Sequence, residues 1–326
     1  MKGISRRRYA QHEARMVQGD EAAMFRQVIL SVADSRIVSD TVKRYGFQLG
    51  ARRFVAGETL DDAVAVTRAV NADGMAATLD HLGESVRDVA EARAAAAAYG
   101  ELQARIAAEK LDANVSLKLS MMGLDIDRDL AVSETRALVE TAVRLQNFVR
   151  IDMEDSRYTT VTLEIYRELW GAFPGSVGTV LQAYLRRSVD DLRALSDEPR
   201  NFRIVKGAYS EPHERAFPAK ADVDDNFVRL VEMSLEAGHY TAIATHDERM
   251  IGSTLRYIRA HAVPRDRFEF QMLYGINLAS LRELAREGYR TRVYIPYGTD
   301  WYAYFTRRLA ERPANLLFFA RALWSR

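Results

Sequence analysis

Cysteine is absent from all 326 residues. That absence removes disulfides, thiolate zinc sites, iron–sulfur clusters and every mechanism that needs a cysteine nucleophile. A bridge-free chain suits a reducing cytosol. Neither sign of charge is in surplus: 46 Lys+Arg stand against 45 Asp+Glu, a net charge of +1. Nucleic acid is therefore not expected as a partner, and membrane contact is expected to be peripheral at most. No run reaches 18 consecutive apolar residues, and the polar N-terminus lacks the apolar core of a signal peptide. Nucleotide-loop and hydrolase signatures are missing too: there is no G-x-G-x-x-G, no P-loop, no H-E-x-x-H and no G-x-S-x-G. Lysine is scarce, limited to Lys2, Lys43, Lys110, Lys118, Lys206 and Lys220. The bias toward Arg and Ala is that of a GC-rich genome, and it makes each surviving lysine easier to weigh.

The composition that remains, 48% hydrophobic and 28% charged, is that of a globular protein. Residues 1–20 are polar and Arg-rich and read as a flexible arm or tag remnant. From 21 to 70, helical spacing of apolar residues predicts about three helices. From 71 onward, short β-rich runs alternate with long Ala/Leu/Arg/Glu stretches of helical period. Eight runs are expected to be strands: 74–83, 114–120, 148–154, 177–184, 201–209, 240–246, 268–273 and 291–297. Alternation of this kind means parallel strands with right-handed crossovers. Eight units over about 250 residues is the count of a (β/α)8 TIM-type barrel, an α/β fold. A doubly wound open sheet is the competing architecture.

A barrel puts its chemistry at the C-terminal ends of its strands. The polar residues there are Asp80, His81, Lys118, Asp152, Glu154, Gln182, Arg203, Lys206, Thr245, His246, Gln271 and Tyr294. Lys118, between apolar neighbours in VSLKLS, is either an inward cation or a lysine snorkelling at an outward edge. Inward, it could serve as a Schiff-base amine or as a cation for an anionic substrate. Asp152 lies inside its strand, and a buried carboxylate there needs a cation, for which Lys118 on the neighbouring strand is the expected partner. Asp155 or Ser156 is expected to cap the next helix. Gly207, ending FRIVKG, either lets a ligand approach the backbone or serves as a plain turn. Near the C-terminus, Tyr304, Arg307, Arg308 and Glu311 share one helical face, opposite Phe305, Leu309 and Leu316. Guanidinium groups beside an aromatic ring suit an anionic ligand with an apolar body, while an Arg307–Glu311 pair on a solvated face is the plainer reading.

Several segments in order carry a family resemblance: SLKLS, RIDMEDS, VLQAY, RIVKGAY, ATHD, FEFQMLYG, RVYIPYG and YFTRRLAERPAN. Over residues 22–322 the chain resembles the proline dehydrogenase family. The resemblance implies a distorted barrel, residues 71–326, with N-terminal helices and a C-terminal helix over the active site. It implies non-covalent FAD at the strand ends and oxidation of L-proline to Δ1-pyrroline-5-carboxylate by hydride transfer, with electrons passing to a quinone. By the same resemblance, Arg307, Arg308 and Lys118 bind the substrate carboxylate, and Tyr304, Tyr294, Leu273 and Ala208 line the proline pocket. Asp152 holds the closed site together and Arg203 is the group beside flavin N5. Met153, Gln182, Lys206, Gly207, Thr245, His246 and Glu311 are the implied FAD contacts. Some family members also carry an aldehyde dehydrogenase that needs a cysteine. Without one, this chain is expected to be single-function, cytoplasmic, and reliant on a separate pyrroline-5-carboxylate dehydrogenase. A barrel lyase using Lys118 or Lys206 as a Schiff-base amine, and a non-catalytic binding barrel, are the other classes.

Overall fold

The computed structural model describes residues 51–83 and 86–311, apart from the side chains at 307 and 309–311. The residues fall in two units: Phe54–Thr299, and a second that includes 51–53 and 300–311. The first is a closed barrel of eight parallel strands in sequential order. These are β1 (Ala76–His81), β2 (Ala113–Leu117), β3 (Val149–Ile151), β4 (Val177–Gln182), β5 (Asn201–Val205), β6 (Tyr240–Ala244), β7 (Phe268–Leu273) and β8 (Thr291–Tyr297). Every expected strand is present, and pairing of β1 with β8 excludes the open doubly wound sheet.

Helix α1 (Leu60–Ala72) precedes β1, and crossover helices follow the first seven strands: α2 (Val89–Ala108), α3 (Arg128–Arg144), α4 (Thr159–Ala172), α5 (Ser188–Ala194), α6 (Lys220–Glu236), α7 (Glu248–Ala260) and α8 (Leu278–Arg286). Local chemistry sets their starts. Thr59 and Asp62 form a reciprocal capping box at α1, and Asp88, Asp127 and Asp247 accept backbone N–H groups at α2, α3 and α7. The expected cap at α4 is not there. Its N-cap residue is Tyr158, with no side-chain cap. Asp155 instead pairs with Arg157, and Ser156 donates to Glu211 on a distant loop. Of the helices expected between 21 and 70, only α1 lies within the described residues. No helix among them is long and apolar enough to cross a membrane.

Strand alternation divides the barrel into two environments. Leu79, Val115, Leu117, Val149, Ile151, Phe202, Ile204, Phe270, Val293 and Ile295 are buried in the apolar cluster with the helix faces. The alternate positions carry Thr78, Asp80, Asn114, Ser116, Arg150, Arg203, Glu269, Gln271 and Arg292, all buried. Layers of branched apolar side chains usually fill such a barrel; this interior is polar and charged.

Each of these groups therefore needs a partner. Near the N-terminal end, Arg150 donates to the carbonyls of Thr179 (2.9 Å) and Asn201 (3.1 Å) and to the Asn201 side chain (2.6 Å). Glu269, 2% exposed, accepts from Arg292 Nε at 2.9 Å and Arg290 Nε at 3.3 Å. Burial opposes its charge, but Arg292 outweighs that and holds the carboxyl down at about 2. Because the folded value lies below the usual one, this stabilisation is present above the ordinary glutamate range and is lost as pH falls toward 2. Arg292→Met should thus cost about 3 kcal/mol, a fall of roughly 4–5 °C in thermal midpoint at pH 7. The deficit should narrow as pH approaches 2. An unchanged midpoint at pH 7 would show that the pair contributes nothing net.

Candidate active site

At the C-terminal ends of the strands, Asp80, Lys118, Asp152, Arg203 and Tyr294, all named from the sequence, form one connected cluster. Asp152 follows β3 directly, and its backbone N–H donates to Leu117 O at 2.8 Å, so the ladder extends to it. Its Oδ1 accepts from Arg203 Nη1 at 2.6 Å and from Ser116 Oγ at 2.6 Å. Its Oδ2 accepts from the Tyr294 hydroxyl at 2.9 Å. Asp152 therefore pairs with Arg203 on β5, and not with Lys118 as its position on the neighbouring strand suggested. Lys118 meets Asp80 instead, Nζ to Oδ2 at 3.5 Å. Register alone would favour Lys118 for Asp152, since Leu117 pairs with Ile151, but the Asp152 oxygens are taken by Arg203, Ser116 and Tyr294, and Lys118 turns to Asp80.

The electrostatics of this cluster follow from burial. Desolvation opposes the Lys118 charge, yet the carboxylates of Asp80 and Asp152 override it and raise the ammonium above its usual value. Tyr294 is pushed well above the ordinary phenol range by burial and then by the same two carboxylates. Its single proton faces two acceptors, Asp80 Oδ2 at 2.7 Å and Asp152 Oδ2 at 2.9 Å. The Arg203 guanidinium lies 5.3 Å over the Tyr294 ring, a cation–π contact that closes the cluster. Together these groups form a buried floor in which Lys118 and Arg203 balance the carboxylates of Asp80 and Asp152.

A second group surrounds the ends of β4 to β7. Gln182 is 3% exposed; its Nε2 donates to Glu154 O at 3.2 Å, while its Oε1 meets no partner among the described residues. The Glu154 carboxyl is raised by burial, against the two hydrogen bonds it accepts from Ser120. Lys206 is bonded to Asp224 and to Asp247 (2.8 Å), and Lys220 and Arg249 meet the same two carboxylates. Three cations against two anions leave positive charge on this part of the rim. Burial opposes ionisation of Asp247, but hydrogen bonds from Lys206 and Arg249 hold it well below the carboxylate range. Gly207 has φ +111, and a Cβ there would lie 2.2 Å from the Tyr184 ring, so no other residue fits. Thr245 Oγ1 accepts from Asp247 N, and His246 Nε2 accepts from Leu273 N at 3.4 Å. Met153 is buried, while Ala208 and Leu273 are half-buried.

Helix α9 (Trp301–Glu311) belongs to the other unit. Within it, Arg308 lies 5.2 Å over the Tyr304 ring, and Trp301 packs edge-on against Phe305. The side chains of Arg307 and Glu311, and the stretch from Pro313 onward, lie outside the described residues.

Several participants have no role in the sequence reading. Tyr99, on α2, donates to Ser116 O at 2.9 Å and reaches Asp80 at 3.2 Å. Nothing in its Ala-rich helix marks it. Ser116, Glu269 and Arg292 did leave a signal: each is a polar residue two positions from a mouth residue on an otherwise apolar strand.

The barrel can be compared with known proteins on this footing. The family model described as proline dehydrogenase matches residues 63–321. Proline dehydrogenase 1 of Bacillus subtilis (strain 168) is 44% identical over 300 residues, covering 92% of this chain and 99% of that protein. The proline dehydrogenase of Deinococcus radiodurans is 44% identical over 304 residues, covering 92% and 98%. Among solved structures, proline utilization A from Bdellovibrio bacteriovorus, inactivated by N-propargylglycine, superposes with a TM-score of 0.77 at 27% identity. That match takes in 90% of this chain and 36% of the other. The family model spans the whole barrel and two relatives match almost end to end, so the chain belongs to the proline dehydrogenase family.

Proposed function

We propose that the mouth of the barrel oxidises L-proline to Δ1-pyrroline-5-carboxylate, the opening step of proline catabolism to glutamate, with FAD as hydride acceptor and a quinone as the final electron sink. Family membership implies a flavin. That the flavin is FAD, held non-covalently, is our reading, and the residues fit it. The buried Gln182 Oε1 is an acceptor awaiting a donor such as a flavin N–H or ribityl hydroxyl. The excess positive charge of Lys206, Lys220 and Arg249 over Asp224 and Asp247 suits a diphosphate. Gln182, Lys206, Gly207, Thr245, His246 and Met153 are the residues assigned to the cofactor, with Glu311 on α9.

The observation that carries the reading is the buried Arg203 guanidinium, held at the strand ends by Asp152. When bound, the flavin supplies the acceptor for a hydride from the ring carbon next to the proline nitrogen. The protein's part is orientation and charge. A fixed guanidinium favours negative charge developing beside it and needs no reorganisation to do so. Lys118, permanently an ammonium, and the arginines Arg307 and Arg308 are assigned to the substrate carboxylate, which fixes the pose of the ring. Tyr294, Leu273, Ala208 and Tyr304 are assigned to the ring itself. The product leaves for a separate pyrroline-5-carboxylate dehydrogenase, and contact with a membrane is peripheral. The raised Lys118 ammonium argues against a Schiff-base lyase, which needs a depressed amine.

Purified protein should be yellow, and anaerobic proline should bleach it. A colourless protein that FAD fails to reconstitute would sink the proposal, as would borohydride trapping of a carbonyl substrate on lysine. Each charged contact to the carboxylate is worth about 1.5–3 kcal/mol. Lys118→Met and Arg308→Met should therefore each raise the proline KM by roughly tenfold to a hundredfold, with flavin content retained. Loss of flavin at normal proline KM would contradict both assignments.

A further inference from the structure

Arg203 is held at two ends, and only one of them is the Asp152 pair. Its Nε donates to Gln271 Oε1 at 2.7 Å, and both side chains are buried. Gln271 Nε2 in turn donates to Glu269 Oε1, which also accepts from Arg292. The amide has only one orientation that serves both neighbours. With the oxygen toward Arg203, the amino group meets a carboxylate; reversed, two donors face each other at Arg203 and two acceptors at Glu269. Glu269 is kept ionised, and so acceptor-only, by the arginines around it. Charge deep in the barrel therefore sets which atom of Gln271 meets the guanidinium.

We propose that Gln271 is a positioning residue for the reaction, its amide oriented by Glu269 so that Arg203 presents its guanidinium edge in a single pose at the barrel mouth. This rests on the reading of Arg203 as the cation beside the flavin. Asp152 and Ser116 both hold Nη1, at 2.6 and 3.3 Å, leaving Nε to Gln271. A guanidinium held at one atom can pivot about it, whereas one held at Nη1 and Nε cannot. Removing the amide thus loosens the cation without removing its charge.

The test uses the holoenzyme and measures the midpoint potential of the bound flavin together with its rate of reduction by proline. Arg203→Met should make the flavin harder to reduce, with a more negative midpoint. Gln271→Met, close in length but without an acceptor, should move the midpoint in the same direction by a smaller amount. It should slow flavin reduction about tenfold, the scale seen when a supporting hydrogen bond is lost, with proline KM little changed. A Gln271→Met midpoint and rate equal to wild type, alongside a shifted Arg203→Met, would overturn the inference and leave the function standing. An unshifted Arg203→Met midpoint would remove the role of Arg203 itself. Should Gln271→Met not fold, Gln271→Asn, which withdraws the amide by one methylene, is read by the same measurements.

Discussion

Burying charge along the axis of a barrel is the constraint on which the rest of this structure depends. A TIM-type barrel can fill its interior with branched apolar side chains at no electrostatic cost. This one places Arg150, Arg203, Glu269 and Arg292 there, with Asp80, Asp152 and Lys118 at the mouth. Desolvation of each ion costs several kcal/mol unless it is paired and fully hydrogen-bonded. The outcome is one connected chain of partners from Asp152 through Arg203, Gln271 and Glu269 to Arg292, whose Nη1 ends on Ala77 O at 2.6 Å. The apolar burial that stabilises the fold lies outside this column, between strands and helices.

That division separates stability from chemistry. The helix-facing residues hold the barrel closed, and the axial residues are free to be what the reaction needs. The axial residues also stiffen one another. A flexible arginine becomes a preorganised cation when its hydrogen-bond partners are themselves held, and preorganisation is what makes electrostatic assistance effective.

Much of this was legible in the sequence, and the misses have identifiable physical causes. Period-2 apolar runs and turn residues located all eight strands, because local side-chain patterning decides which segments are strands. Strand-end polarity named Lys118, Asp152, Gln182, Arg203 and Tyr294 as mouth residues. The pairing was misjudged, since adjacency along the sheet suggested Lys118 for Asp152. The Asp152 oxygens are, however, taken by Arg203, two β/α units further along the chain, and by Ser116 and Tyr294, which leaves Lys118 to Asp80. The α4 cap was misplaced because Asp155 pairs locally with Arg157, while Ser156 finds tertiary partners at Arg215 and Glu211. Tyr99 gave no signal at all, as its role depends on how a helix packs on two strands.

The filled axis also has a consequence for traffic. Buried side chains occupy the axis from Thr78 and Asn114 through Arg150 to the Glu269–Arg292 pair. A molecule approaching the strand ends from below would have to part these paired charges, at a cost of several kcal/mol for each ion left alone.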